Sequence, residues 1–172
     1  RKILDALAAA GVKSPINLIG RGEPLVNREL PEFVRYATSK GVPCAIISNG
    51  VLLKEGYARK LLEAGIRKIQ FSLHAHSAET YRQITGVDLY DKVKANLLGL
   101  VELNKEYGSH CYINVMSVES SINRHESEEF VKFWAPRVDR AFVTPLYSIQ
   151  GDSRMAEESL DSIKAKLGGK DL

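Results

Sequence analysis

The fold is decided by the stretch CAIISNGVLLKEGYARKLLEAGIRKIQFSL, which runs from Cys44 to Leu73. Its two ends, Cys44 to Ile47 and Lys68 to Leu73, are short apolar runs that predict strands. Between them, Lys54 to Ala64 carries apolar side chains on one helical face, and Gly65 follows where a helix would end. A strand, a helix and a strand in this order predict a unit in which the two strands are parallel.

The same alternation extends in both directions along the chain. Further strands are predicted at Ile16 to Ile19, His110 to Val118 and Asp139 to Pro145, and further helices at Arg1 to Ala10, Pro31 to Lys40, Glu79 to Ile84, Tyr90 to Tyr107 and Ser127 to Trp134, the last one capped by Ser127. Such a pattern is typical of a parallel sheet, with helices on one side of a closing barrel or on both sides of an open sheet. We expect an α/β fold, a partial (βα) TIM-like barrel with parallel strands.

The ends of the chain suggest how it is divided. The chain opens on a helix where a βα repeat opens on a strand, so we expect the first strand and its loop to be missing upstream. Residues 1–151 are predicted to form the barrel core. Residues 152–172 are predicted to form a polar tail with one weak helix, near Ala156 to Leu167, which leads toward a missing C-terminal domain.

Composition narrows the class of protein. The chain has 172 residues, of which 44% are hydrophobic and 26% charged, as expected for one soluble domain with a core. It contains no stretch of about 20 unbroken apolar residues, so no membrane helix is predicted. The net charge of +3 and the absence of a basic run argue against nucleic acid as a partner. Cys44 and Cys111 lie in apolar runs without CxxC spacing, which predicts reduced core cysteines of a cytoplasmic protein and no metal site.

Polar residues and special turns gather where the predicted strands end. They are Gly20 to Pro24, Ser48-Asn49-Gly50, Ser72-Leu73-His74, the group Asn114, Ser117 and Glu119, and Pro145-Leu146-Tyr147. The carboxyl ends of parallel strands share one edge, where ligands bind, so the set predicts a ligand site. Taken singly, each segment is better explained as turn chemistry. His74 and His76 could form a metal pair, but no third ligand is evident and a polar role in the loop or site is favoured.

The order of these segments resembles the radical SAM superfamily. Gly20 to Leu25 resembles its GGEP segment, Ile47 to Gly50 with Leu52-Leu53 its TNG segment, Ile69 to His74 its next strand, and Glu79 to Gly86 the helix after that strand. The last core strand of members that carry a C-terminal SPASM domain is resembled by Phe133-Trp134 with Val138 to Arg140 and Val143 to Leu146. Two parts of the family pattern are absent: the CxxxCxxC motif would lie upstream of Arg1, and the SPASM domain would follow Leu172. His74 stands where many members have Asp.

The resemblance implies a function. It implies a radical SAM enzyme that binds S-adenosylmethionine and a [4Fe–4S] cluster, whose ligands lie outside this chain, and that generates a 5′-deoxyadenosyl radical. It implies a peptide, protein or small-molecule substrate and an electron donor such as flavodoxin or ferredoxin. This chain alone is expected to be inactive.

The resemblance also implies roles for particular residues. The implied cofactor-binding set is Gly20, Gly22, Glu23, Pro24, Ser48, Asn49, Ser72, Arg82, Asn114, Leu146 and Tyr147. Glu23 and the backbone of Gly20 to Gly22 would bind the methionyl amino group, and Arg82 would bind the methionyl carboxylate. Ser72 would bond that carboxylate or the ribose, and Asn114 the ribose. The backbone near Leu146 and Tyr147 would pair with the adenine. No catalytic or metal-ligating residue is predicted within the chain.

Two other functions remain open from the sequence. The chain could be a non-radical partial α/β barrel that binds a phosphate or sugar ligand, with Gly20 to Pro24 as its anion loop. It could also be a non-catalytic scaffold that keeps the fold in order to bind a partner.

Overall fold

The computed structural model describes residues 2–20 and 22–146. Its sheet has five parallel strands, each paired with the next along the chain: β1 Ile16–Asn17, β2 Cys44–Ser48, β3 Lys68–Ser72, β4 Tyr112–Glu119 and β5 Arg140–Pro145. A sheet that adds its strands in chain order has no topological switch point, unlike a doubly wound open sheet. The observed order confirms the predicted α/β fold with a partial TIM-like barrel.

Helices connect the strands and cover one face of the sheet. They are α1 Lys2–Ala9, α2 Leu30–Ser39, α3 Glu55–Glu63, α4 Ala78–Thr85, α5 Tyr90–Glu106 and α6 Ser127–Trp134, with short 3₁₀ turns at Pro24–Val26 and Arg124–Glu126. Helices and strands share one buried core that includes Ile46, Ile69, Phe71, Val115 and Trp134.

The other face of the sheet points away from this core. Side chains alternate along a strand, and register partners on parallel strands point the same way, so the pairing assigns this face. We call it the inner face; it carries Asn17, Ala45, Ile47, Lys68, Gln70, Ser72, Tyr112, Asn114, Met116, Val118, Arg140, Phe142 and Thr144. None of these side chains belongs to the core cluster of the described residues. The inner face is therefore a surface separate from the core that the helices cover.

Several predicted boundaries shift for local reasons. Strand β4 begins at Tyr112 rather than His110, because the chain first turns at Gly108 and Ser109, which have φ angles of 74° and 53°. Strand β1 ends at Asn17 rather than Ile19. The predicted cap at Ser127 is wrong. The 3₁₀ turn at Arg124–Glu126 runs directly into α6, and the Ser127 hydroxyl donates instead to Glu119 Oε2 at 3.1 Å.

Two further expectations concern the chain as a whole. Within residues 2–20 and 22–146, no helix has the length and apolar character that crossing a membrane requires. The predicted tail of residues 152–172, with its weak helix, lies outside the described residues.

Candidate functional site

Glu23 lies at the carboxyl edge of the sheet, beside the end of β2. It follows β1 and caps the 3₁₀ turn Pro24–Val26, where Glu23 Oε1 accepts the Leu25 N–H at 3.1 Å. The same oxygen accepts the Ser48 hydroxyl at 2.8 Å, and Oε2 accepts the Asn49 N–H at 2.8 Å. Glu23 therefore joins the loop after β1 to the end of β2. Two carboxylate oxygens offer about four acceptor positions, so one remains for a ligand donor.

The segment Ser48-Asn49-Gly50 positions Glu23. Ser48 is 2% exposed, and its hydroxyl donates its one hydrogen to Glu23 and accepts the Gly50 N–H at 2.9 Å. Asn49 is exposed, and its side-chain oxygen accepts the Val51 N–H at 3.0 Å. Gly50 has a φ of 75°, and a Cβ there would lie 3.0 Å from the Phe71 ring. The turn thus needs glycine both for its backbone conformation and for its packing.

The glycine turn after β1 is open to solvent. Gly22 has a φ of 108°, which favours glycine, and a Cβ at Gly20 or Gly22 would meet nothing within 4 Å. Pro24 is half-buried and starts the 3₁₀ turn. Arg21 lies outside the described residues. Space beside exposed backbone carbonyls lets a ligand approach the chain closely.

The end of β3 supplies a hydroxyl and an imidazole. Ser72 is half-buried on the inner face, and its hydroxyl has no hydrogen-bond partner among the described residues. His74 Nδ1 accepts the Val118 N–H at 3.0 Å, and burial lowers the pKa of His74. An Nδ1 that accepts a hydrogen bond leaves the proton of the neutral ring on Nε2. His74 is therefore a neutral Nε2–H donor at this edge.

Sequence reasoning missed Asn123, which holds the loops after β3 and β4 together. Asn123 is 3% exposed, and its Nδ2 donates to the carbonyls of His74 and Val118, at 2.8 Å each. Its Oδ1 accepts the Ser120 N–H at 2.6 Å. The bond to His74 spans 49 residues, so local sequence holds no signal for it beyond the turn that Ser120 to Asn123 forms.

Glu126 is a second connection that the sequence did not predict. Its Oε2 accepts the N–H groups of His76 at 2.8 Å and Ser77 at 3.3 Å, and its Oε1 accepts the Thr80 hydroxyl at 2.8 Å and the Ser77 hydroxyl. Burial acts to raise the pKa of Glu126, but these hydrogen bonds outweigh it and hold the pKa below its usual value. The charge lies at the start of α4, where the helix dipole favours an anion. Glu126 thus fixes the helix that carries Arg82.

The remaining predicted residues lie at different distances from the carboxyl edge of the sheet. Arg82 is exposed in the last turn of α4, and among the described residues no ion pair accounts for it. Asn114 is buried and pairs with Gln70, two residues before Ser72, which places it about 7 Å deeper than Ser72. Leu146 directly follows β5 and is 64% exposed. Tyr147 lies outside the described residues.

The described residues offer no metal centre. No group of three or more His, Cys, Asp or Glu among them could hold a metal ion. His74 Nδ1 is already bonded to the chain, and His76 Nδ1 is buried beside the Phe133 ring. Cys44 and Cys111 are free and buried, as predicted. Burial raises the pKa of Cys44 to about 11 and, with the nearby Asp139 charge, that of Cys111 to about 12.

A sequence model of the radical SAM superfamily matches residues 1–132. This chain belongs to that superfamily. The matched range includes the predicted cofactor-binding residues Glu23, Asn49, Ser72 and Asn114. Leu146 and Tyr147 lie beyond the matched range.

One curated relative and two solved structures of a second protein show how similar the chain is to known proteins. The chain is 35% identical over 113 residues to a probable GTP 3′,8-cyclase of Saccharolobus islandicus, covering 65% of this chain and 34% of that protein. The crystal structure of Streptococcus suis SuiB matches with a TM-score of 0.70 and 18% identity, covering 96% of this chain and 39% of that one. SuiB bound to S-adenosylmethionine matches with a TM-score of 0.60 and 18% identity, covering 84% and 34%. The chain spans about a third of the length of the curated relatives it matches.

Radical SAM proteins bind S-adenosylmethionine and a [4Fe–4S] cluster. The carboxyl edge fits the first of these, because the Glu23 carboxylate keeps an acceptor position beside an open glycine turn. The cysteines of this chain do not fit the second. Cluster ligands are thiolates, whereas Cys44 and Cys111 are buried in the helix-covered core with raised pKa values.

Proposed function

We propose that this chain is the S-adenosylmethionine-binding core of a radical SAM enzyme whose [4Fe–4S] cluster is held by cysteines other than Cys44 and Cys111. The observation that carries the proposal is the oriented carboxylate of Glu23. Three donors of the chain fix it beside an open glycine turn at the carboxyl edge. A fixed carboxylate with one free acceptor position suits an ammonium group, and the methionyl end of the cofactor carries one.

Each residue of the edge has a proposed task. Glu23 and the carbonyls of Gly20 to Gly22 accept the methionyl amino group, while Ser48 and Asn49 hold Glu23 in place. Arg82 reaches back from α4 to the methionyl carboxylate. Ser72 bonds the ribose, for which it is better placed than the deeper Asn114. The backbone at Leu146 and Tyr147 pairs with the adenine.

When bound, S-adenosylmethionine and the cluster supply the 5′-deoxyadenosyl radical that removes a hydrogen atom from the substrate. The chain's own residues orient the cofactor, and the inner face lies below it. A flavodoxin or ferredoxin is the proposed electron donor. The two reduced cysteines agree with a cytoplasmic location, which remains a prediction.

The relatives favour a small-molecule substrate over a peptide or protein. The matched relatives are named as probable GTP 3′,8-cyclases, and the similarity covers 65% of this chain for one of them and 51% for another. The SPASM-type assignment remains a prediction, because the segment that suggested it, Phe133 to Leu146, lies entirely beyond the matched residues 1–132. A phosphate-binding loop at Gly20 to Pro24 is disfavoured, since the Glu23 carboxylate at its centre would repel an anion.

The test is to titrate S-adenosylmethionine into the intact, cluster-loaded enzyme and into its Glu23→Gln and Arg82→Ala variants. Each variant should bind about 10- to 150-fold more weakly, since loss of a charge-assisted hydrogen bond costs roughly 1.5–3 kcal/mol. Glu32→Gln, an exposed change on α2, serves as the matched control and should bind like the parent. Unchanged affinity in both test variants would show that the two assignments are wrong.

A further inference from the structure

Three polar side chains form a row across the inner face. Gln70 on β3 pairs with Asn114 on β4, and Asn114 pairs with Arg140 on β5. Since register partners on parallel strands point the same way, the three side chains are neighbours. We call Gln70, Asn114 and Arg140 the inner row. It lies two residues below Ser72, away from the carboxyl edge where Glu23 and Asn49 gather.

The inner row leaves most of its hydrogen-bonding capacity unused. Asn114 is 3% exposed, and its Oδ1 has no partner among the described residues. Within residues 2–20 and 22–146, Gln70 Nε2 reaches only the sulfur of Met116, at 3.7 Å, and a thioether is a weak acceptor. Arg140 stacks on the Phe142 ring with its guanidinium carbon 4.6 Å from the ring centre, and it forms no ion pair among the described residues.

Buried polar groups without hydrogen-bond partners lower the stability of the fold unless a bound molecule pairs with them. A buried amide oxygen without a partner typically destabilises a fold by about 1–3 kcal/mol, and most native proteins avoid it. Packing does not need these polar groups, because the core formed with the helices lies on the other face of the sheet. A role in binding accounts for three adjacent groups of this kind better than a role in folding does.

The charge of the inner face defines the class of ligand. Arg140 and Lys68 are its two charged side chains, and the described strands place no Asp or Glu on it. The inner row adds the amide N–H donors of Gln70 and Asn114 to the five N–H donors of Arg140. Such a surface attracts a group that accepts hydrogen bonds and carries negative charge.

We propose that the inner row binds an oxyanion, a carboxylate or a phosphate, of the small molecule on which the enzyme acts. Arg140 supplies the charge and a forked pair of donors, Gln70 and Asn114 supply amide donors, and Asn114 Oδ1 accepts an adjacent O–H or N–H of the same molecule. That the molecule is the substrate rests on the proposed function, because the row lies about 7 Å below the proposed ribose contact at Ser72.

The test is a titration of the cluster-free protein with inorganic pyrophosphate and, separately, with succinate, followed by ¹H–¹⁵N NMR. The side-chain amide signals of Gln70 and Asn114 and the Nε–H signal of Arg140 should shift together with one dissociation constant. A response to pyrophosphate alone identifies a phosphate, and a response to succinate alone identifies a carboxylate. Either response supports the inner row as an oxyanion site, and no joint shift with either probe overturns it.

The matched pair of variants Arg140→Gln and Arg137→Gln distinguishes a specific anion site from general electrostatic attraction. Both remove one positive charge, but Arg137 lies before β5 and packs on Phe133. Arg140→Gln should weaken anion binding at least tenfold, whereas Arg137→Gln should change it less than twofold. Equal weakening in both variants would overturn the proposal.

Separate titration of S-adenosylmethionine into the cluster-loaded enzyme and its Glu23→Gln variant distinguishes the two hypotheses. Anion binding without a Glu23 effect would contradict the proposed function alone. A Glu23 effect without anion binding would contradict only the inner row.

Discussion

The Ser48 hydroxyl links the two segments that form the proposed methionyl site. It donates to Glu23 at 2.8 Å and accepts the Gly50 N–H at 2.9 Å, and the residue is almost fully buried. Without it, the Glu23 carboxylate would lose one of its three donors and the turn would lose its anchor. Ser48 is therefore a positioning residue for Glu23, although the family resemblance grouped it with residues that touch the cofactor.

Ser48→Ala should weaken S-adenosylmethionine binding about fivefold and destabilise the fold by about 1–2 kcal/mol, because it leaves the buried Gly50 N–H without a partner. Binding is measured by equilibrium titration of the cluster-loaded enzyme, and stability by urea unfolding. Ser39→Ala is the control, since that hydroxyl bonds the Tyr36 carbonyl on an exposed helix end. A Ser48→Ala variant with parental affinity would show that Glu23 does not depend on this bond.

Glu126 connects two elements that are far apart in the sequence. It belongs to the 3₁₀ turn before α6 and binds the start of α4, about 50 residues earlier in the chain. The hydrogen bonds hold the pKa of Glu126 below its usual value in spite of burial. A carboxyl with a depressed folded-state pKa stabilises the fold above its unfolded pKa, and this stabilisation is lost as pH falls through the folded pKa.

Glu126→Gln should lower the free energy of unfolding at pH 7 by about 1–3 kcal/mol, since an amide cannot accept all of these donors. The difference from the parent should begin to shrink as pH falls below about 4.5, where the carboxyl of the unfolded chain takes up its proton, and it should be lost as pH falls through the lower folded-state pKa of Glu126. Urea unfolding at a series of pH values measures it, with the exposed Glu129→Gln as control. A difference that stayed constant down to pH 3 would contradict the assignment of the shift to Glu126.

The helices and strands could be predicted because the sequence patterns that specify them are local. Apolar runs marked the strands, and Gly41, Gly65 and Gly86 marked the ends of helices, each with a positive φ. The features that the sequence predicted wrongly or did not predict have a common cause. The Ser127 cap, the role of Asn123 and the role of Glu126 depend on partners in other loops, and no local pattern specifies those. Motif order located the carboxyl edge, but the depth of Asn114 required the strand register.

The whole chain has only two cysteines, and both lie in the helix-covered core. Raised pKa values keep Cys44 and Cys111 as thiols at neutral pH, and thiols are poor ligands for iron. Anaerobic reconstitution of this 172-residue chain with iron and sulfide should therefore yield no stable four-iron cluster. Iron counting and visible absorbance measure this, with a cluster-loaded radical SAM enzyme as the positive control. A stable cluster of four irons per chain would show that the two thiols are ligands.

The central claim is that the Glu23 carboxylate receives the amino group of S-adenosylmethionine at the carboxyl edge of the sheet. The most direct measurement is a crystal structure of the cluster-loaded enzyme with the cofactor bound. We expect the methionyl nitrogen to lie about 2.7–3.2 Å from a Glu23 carboxylate oxygen, with the Ser48 bond to Glu23 retained. A methionyl nitrogen more than about 4 Å from Glu23, or a cofactor bound elsewhere on the chain, would contradict it.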